Sequence, residues 1–188
     1  PSFIGSLNAF KSYNVDLHGV TLDEDGINIE ELEKVLKEKN VRLIYLIPNF
    51  QNPTGRTTSL EKRKQVYELA KKYGAVILED NPYGDLRFAG ENIKSIKSLD
   101  KDGIVVYSGT FSKVLAPGIR VGYVSGPKEI IQKIIVCKQV SDVHTCVLPQ
   151  MMAAEFFKVY DFDAHNEKSK VLYRERSKAM LDAMDEYF

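Results

Sequence analysis

The densest chemistry in this 188-residue chain lies in the string S-G-T-F-S-K-V-L-A-P-G-I-R-V-G-Y, residues 108–123. The hydroxyls of Ser108, Thr110 and Ser112 come just before Lys113, and Arg120 follows seven residues later. Hydroxyls beside a guanidinium suit a phosphate, because the guanidinium presents a planar fork of N–H donors. A lysine next to such a site can form an imine with an aldehyde once its pKa falls well below the free value of about 10.4. A neighbouring cation and partial burial both lower it. Read alone, Lys113 equally suits a polar surface loop.

Two further strings carry chemistry. In Glu79-Asp80-Asn81-Pro82-Tyr83 two acids end an apolar run. One acid can reach solvent while the other is held in a crevice, where a carboxylate needs a cation or hydrogen-bond donors. Two solvated loop acids fit the same string. The stretch N-F-Q-N-P-T-G, residues 49–55, would by composition be a turn. Its Asn52–Pro53 bond is a candidate for the cis form, which would aim the Asn52 side chain in an unusual direction.

The elements that must position these strings alternate along the chain. Ile29, Leu32, Val35 and Leu36 share a helical face, with Asn28 as N-cap and Glu31 at the third position. Residues 41–47 (VRLIYLI) read as a buried strand. Thr58 and Glu61 form a second capping box, opening a helix to about Tyr73 that Gly74 stops. Residues 75–79, 103–109 and 120–126 read as three more strands, and the chain after Pro127 as helices. Near-continuous apolar strands separated by amphipathic helices predict an α/β fold, a mostly parallel sheet flanked by helices. Ligands bind such sheets at the carboxyl ends of the strands, and all three strings fall there.

In order and spacing, N-P-T-G, E-D-N-P-Y and the lysine string resemble the class I/II aminotransferases, the fold-type-I enzymes that use pyridoxal 5'-phosphate (PLP). Asn52 and Asp80 are 28 apart, and Asp80 and Lys113 are 33 apart, as that family's layout has them. The strings Y-L-I-P-N-F-Q-N-P-T-G-R-T and K-Q-V-S-D-V-H-T look most like its aminoadipate, kynurenine-type and broad aromatic or branched-chain members. The resemblance implies that Lys113 holds PLP as a Schiff base and shuttles the proton between substrate Cα and cofactor. It implies that Asp80 pairs with the pyridine nitrogen and that Asn52 and Tyr83 hydrogen-bond the phenolic oxygen. Thr110, Ser112 and Arg120 would hold the phosphate, with Ser108 a structural residue. Gly118 and Gly122 would serve the backbone around Arg120.

The resemblance covers the whole chain but only part of a family member. The chain begins at Pro1 without an initiator Met and ends in a helix-like stretch, so it reads as an internal fragment. Residues 1–188 would be a partial PLP-binding large domain, leading by its last helices to a small domain that is absent. The fragment alone would bind PLP weakly and not transaminate. The implied activity of the full-length protein is transamination between an L-amino acid and a 2-oxo acid, by a cytoplasmic homodimer. A PLP-dependent C–S lyase, and the aminotransferase-like effector domain of a PLP-dependent transcription regulator, are the competing readings.

Bulk properties restrict partners. Lys and Arg total 26, as do Asp and Glu, so nothing electrostatic points to nucleic acid or an acidic membrane. No apolar run approaches the roughly 18 residues of a membrane span. Cys137 and Cys146 have neither disulfide-framework nor metal-knuckle spacing. His18 and His165 have no partner motif, and His144 reads as a packing or capping residue of the helical region.

Overall fold

The apolar runs become short strands in the computed structural model, which describes all of residues 1–188; an α-helix joins the first two strands of the main sheet, and turns with short 3-10 segments join the others. The chain forms two compact units. The first comprises Pro1–Asn81, Ile93–Gly109 and Tyr123–Cys137, and the second Pro82–Asn92, Thr110–Gly122 and Lys138–Phe188.

The first unit opens with helix α1 (Ile4–Ser12) and a small antiparallel hairpin, β1 (Leu22–Asp23) with β2 (Gly26–Ile27). Helix α2 (Ile29–Glu38) starts where its cap predicts: the Asn28 side chain accepts the backbone N–H of Glu31 at 2.9 Å. Strand β3 (Leu43–Leu46) is shorter than the apolar run that contains it. Helix α3 (Leu60–Tyr73) starts one residue later than expected. Its cap is Ser59, which accepts from Lys62 N at 3.3 Å, while Thr58 is buried behind it. Gly74 ends α3 in the left-handed conformation (φ 68°), where a missing Cβ removes the steric cost.

Strands β4 (Val76–Asp80), β5 (Val105–Thr110) and β6 (Gly122–Ser125) complete a four-stranded sheet in the order β3-β4-β5-β6. β3–β4 and β4–β5 are parallel, with Leu46 opposite Glu79 and Asp80 opposite Ser108. The core is a continuous cluster in which Leu32 and Leu36 of α2 and Val66, Tyr67 and Ala70 of α3 join Ile44, Ile77 and Val105 of the sheet. Gly109 lies where β5 runs under the Tyr123 ring, and a Cβ there would overlap the ring atoms.

After Pro127 the chain is helical as expected, in α4 (Lys128–Ser141), α5 (Val147–Val159) and α6 (Phe162–Tyr187). The second unit gathers aromatic rings where α5 turns into α6: Phe157 lies 5.5 Å from Phe111 and 5.0 Å from Phe162. Asp161 caps α6 by accepting Ala164 N at 3.0 Å. Arg174 of α6 donates to the Phe88 carbonyl through Nε (3.2 Å) and Nη2 (2.9 Å), tying the helix to residues 82–92. No helix is long and apolar enough to cross a membrane.

Candidate active site

Alternation along β4 sends its two terminal acids to different surroundings. Glu79 is fully buried, and its two oxygens accept the backbone N–H groups of Ile96 (2.9 Å) and Lys97 (2.7 Å). Burial pushes its pKa up, while those two hydrogen bonds and the Arg63 and Lys97 charges pull the other way. Asp80 is half-buried, and its Oδ2 accepts the Tyr45 hydroxyl at 2.9 Å. Tyr45 Oη in turn accepts the Ser6 hydroxyl at 2.9 Å. Burial raises the Asp80 pKa as well, and the Tyr45 hydrogen bond opposes it. The deeper acid is therefore Glu79, which the backbone satisfies. The acid with an oxygen to spare is Asp80.

The loop after β3 is fastened from behind by Arg63, a fully buried arginine on α3. Its Nε donates to Thr58 O at 2.9 Å, and its Nη2 to Pro48 O at 2.9 Å and Asn49 Oδ1 at 2.7 Å. Its Nη1 reaches Lys94 O at 3.0 Å. Asn49 Nδ2 donates to Asn81 Oδ1 (2.9 Å), and Asn81 Nδ2 to Tyr107 Oη (2.7 Å). Inside the loop the Gln51 amide oxygen accepts both Thr54 N (3.1 Å) and Thr54 Oγ1 (2.6 Å). The Asn52–Pro53 bond is cis. Asn52 thus sits on a loop whose two ends share one arginine.

In the second unit, Thr110, Ser112 and Arg120 come together. Thr110 Oγ1 donates to Ser112 Oγ at 3.0 Å and accepts Ser112 N at 3.1 Å. Arg120 Nη1 donates to Ser112 Oγ at 3.3 Å and to Pro117 O at 3.1 Å, while the residue stays exposed. The left-handed residue in this turn is Arg120 itself (φ 53°). Gly118 has ordinary φ and open space around it, so the backbone role expected of it is not required there. Lys113 Nζ lies 5.9 Å from the centre of the Tyr83 ring, within cation–π range. The arrangement offers an anion two hydroxyls and a guanidinium, one residue from a primary amine.

Of the residues singled out by sequence, Asn52 and Asp80 lie in the first unit, and Tyr83, Thr110, Ser112, Lys113 and Arg120 in the second. Ser108 contributes its backbone carbonyl, which accepts Asn81 N at 2.9 Å. His144 lies between α4 and α5, not within a helix, with Nδ1 2.9 Å from Thr145 O. His18 pairs with Asp16 at 3.1 Å, and His165 Nε2 lies 2.9 Å from Val114 O. Sequence reasoning missed Ser6, Tyr45 and Arg63. No sequence signal marks Tyr45: only the register, which sets it opposite Leu78, puts it on the face of the sheet that Asp80 shares.

The family model for aminotransferase class I and II matches residues 1–187. Aromatic-amino-acid aminotransferase 1 of Thermococcus litoralis is 41% identical across all of this chain, which covers 46% of that protein. An HTH-type transcriptional regulator of Bacillus subtilis, YisV, is 33% identical across the whole chain, which covers 39% of it. Among solved structures, Pyrococcus horikoshii kynurenine aminotransferase, in complex with PMP, kynurenine substrates and their products, superposes with a TM-score of 0.96. It is 39% identical, and the match covers 100% of this chain and 48% of that one. The chain spans about half the length of the aminotransferases it matches.

Proposed function

Because the chain belongs to the class I and II aminotransferases, we propose that the full-length protein moves an amino group between an L-amino acid and a 2-oxo acid, using PLP. The observation that carries this reading is the Thr110–Ser112–Arg120 cluster flanking Lys113. Its donors fit a phosphate, and the amine beside them fits an aldehyde. Asp80 fits the remaining polar group of the ring: burial makes its lone charge costly, and a protonated pyridine nitrogen would offset that cost.

Bound there, PLP supplies an electron sink for the charge that develops at the substrate Cα. Lys113 Nζ would hold the cofactor's aldehyde and, when free, would serve as general base and acid for the proton at the substrate Cα. Asp80 would pair with the ring nitrogen and keep its proton in place. Tyr83 and Asn52 would hydrogen-bond the phenolic oxygen. Thr110, Ser112 and Arg120 would bind the phosphate.

The substrate class that fits the relatives is aromatic amino acids together with kynurenine or 2-aminoadipate. Residues 1–188 would form part of the PLP-binding large domain of a cytoplasmic homodimer. A second reading has one observation in its favour, the similarity to YisV, and makes the domain a PLP-dependent sensor.

Incubating the full-length protein with PLP, aromatic amino acids and 2-oxoglutarate tests the reading. Glutamate formation supports it. Ammonia and pyruvate from sulfur amino acids would replace it with lyase chemistry. No turnover, with a winged-helix pattern upstream of residue 1, would replace it with the regulator.

A further inference from the structure

Tyr45 has the only hydroxyl seated on the Asp80 carboxylate, and two neighbours fix it there. The Phe10 ring meets the Tyr45 ring edge-on, with centroids 5.6 Å apart and planes at 71°, which sets the direction of the phenol. Ser6 Oγ donates to Tyr45 Oη at 2.9 Å. A phenol has one proton, and an ionised carboxylate can only accept. The Ser6 hydrogen bond therefore occupies Tyr45 as acceptor and leaves its O–H for Asp80 Oδ2, at 2.9 Å. Ser6 and Phe10 both lie on α1, while Tyr45 and Asp80 lie on adjacent strands β3 and β4, so the chain of contacts runs from helix to sheet.

We propose that Tyr45 is a positioning residue: held by Ser6 and Phe10, it engages Asp80 Oδ2 and so presents Oδ1 as the oxygen that receives the N–H of the cofactor ring. The proposal rests on the reading of Asp80 as the partner of that ring nitrogen. A hydrogen bond donated to a carboxylate lowers its affinity for a proton. Tyr45 thus works against burial and leaves the shared proton on the ring. Without it Asp80 is the stronger base, and the proton of the N–H···O pair moves toward the carboxylate.

The test uses the full-length holoenzyme as wild type, Tyr45→Phe and Ser6→Ala. Each is loaded with ring-15N PLP or with the analogue carrying carbon in place of the ring nitrogen. A hydrogen bond to a charged group is worth enough that Tyr45→Phe should bind PLP about tenfold more weakly. Its pyridine 15N signal should move toward that of an unprotonated ring. The analogue, which has no ring proton to place, should bind wild type and Tyr45→Phe alike. Ser6→Ala should move the signal the same way and weaken PLP by about threefold. Should Tyr45→Phe fail to fold, Ser6→Ala decides by the same two readouts.

Wild-type PLP affinity with an unmoved 15N signal overturns the proposal, as does equal weakening of PLP and the analogue. If wild type itself binds the two cofactors equally and shows an unprotonated ring, the pairing with Asp80 falls, and the Tyr45 proposal with it. A protonated ring in wild type that Tyr45→Phe leaves unchanged sinks the Tyr45 proposal alone.

Discussion

Two arginines serve opposite ends in the two units of this chain. Arg63 is fully buried, and its three nitrogens all donate to protein oxygens: Thr58 O, Pro48 O, Asn49 Oδ1 and Lys94 O. Arg120 is exposed, and Nη1 makes both of its protein hydrogen bonds, to Ser112 Oγ and Pro117 O. The same fork of donors is closed in one place and open in the other. A closed polar network fastens a loop, whereas an open one beside an amine is available to an anion. Glu79 and Asp80 repeat the contrast one residue apart, since the backbone satisfies the first and one phenol touches the second.

Removing each arginine sharpens this contrast. Arg63→Met leaves the Pro48 and Thr58 carbonyls and the Asn49 amide without their donor, and should cost about 3 kcal/mol of folding stability. Urea unfolding of the full-length protein measures it, and a loss below about 1 kcal/mol would break the picture of a closed network. Arg120→Ala should leave stability within about 0.5 kcal/mol of wild type. It should instead weaken PLP by about thirtyfold, the worth of a charge-assisted contact to phosphate. Equilibrium titration with PLP reads this. Stability loss without a change in affinity would reverse the roles of the two arginines.

Glu79→Gln is the smallest of the three. An amide keeps one acceptor for Ile96 and Lys97 where the carboxylate has two, a loss of about 1 kcal/mol. Its pH dependence is more telling. Burial raises the Glu79 pKa above its unfolded value, so its contribution is fully present below the unfolded pKa of about 4.3 and is lost as pH rises through the folded pKa. The variant lacks that decline. Its deficit should therefore shrink with rising pH when melts at pH 4.5 and 8 are compared. Parallel curves would contradict the assignment.

How much of this was legible follows from the kind of interaction involved. The meeting of Thr110, Ser112 and Arg120 beside Lys113 was legible because they follow one another in a single turn-rich stretch that begins at the end of β5, so sequence neighbours became spatial neighbours. The parallel sheet was legible from apolar runs that alternate with helices. Its strand ends were not: β3 stops at Leu46 although Ile47 is apolar, and β6 starts at Gly122, after the apolar Val121. Ser59 displaced Thr58 as the cap of α3 because two adjacent hydroxyls fit one motif, and only burial separates them. Arg63 was hidden in a helix with four other Lys and Arg residues. Its role depends on carbonyls about 5 to 31 residues away in sequence, which no local pattern encodes. Tyr45 was hidden in an apolar strand, where a tyrosine reads as packing until the register sets it beside Asp80's face.

Every role proposed for the site depends on Lys113 as the residue that anchors PLP. Full-length wild type and Lys113→Ala are incubated with PLP, reduced with borohydride, and their peptides weighed by mass spectrometry. The expected result is one pyridoxyl adduct, on the wild-type peptide that contains Lys113, and no stoichiometric adduct anywhere in Lys113→Ala. A stoichiometric adduct on another lysine, or an equal yield from both proteins, would contradict it.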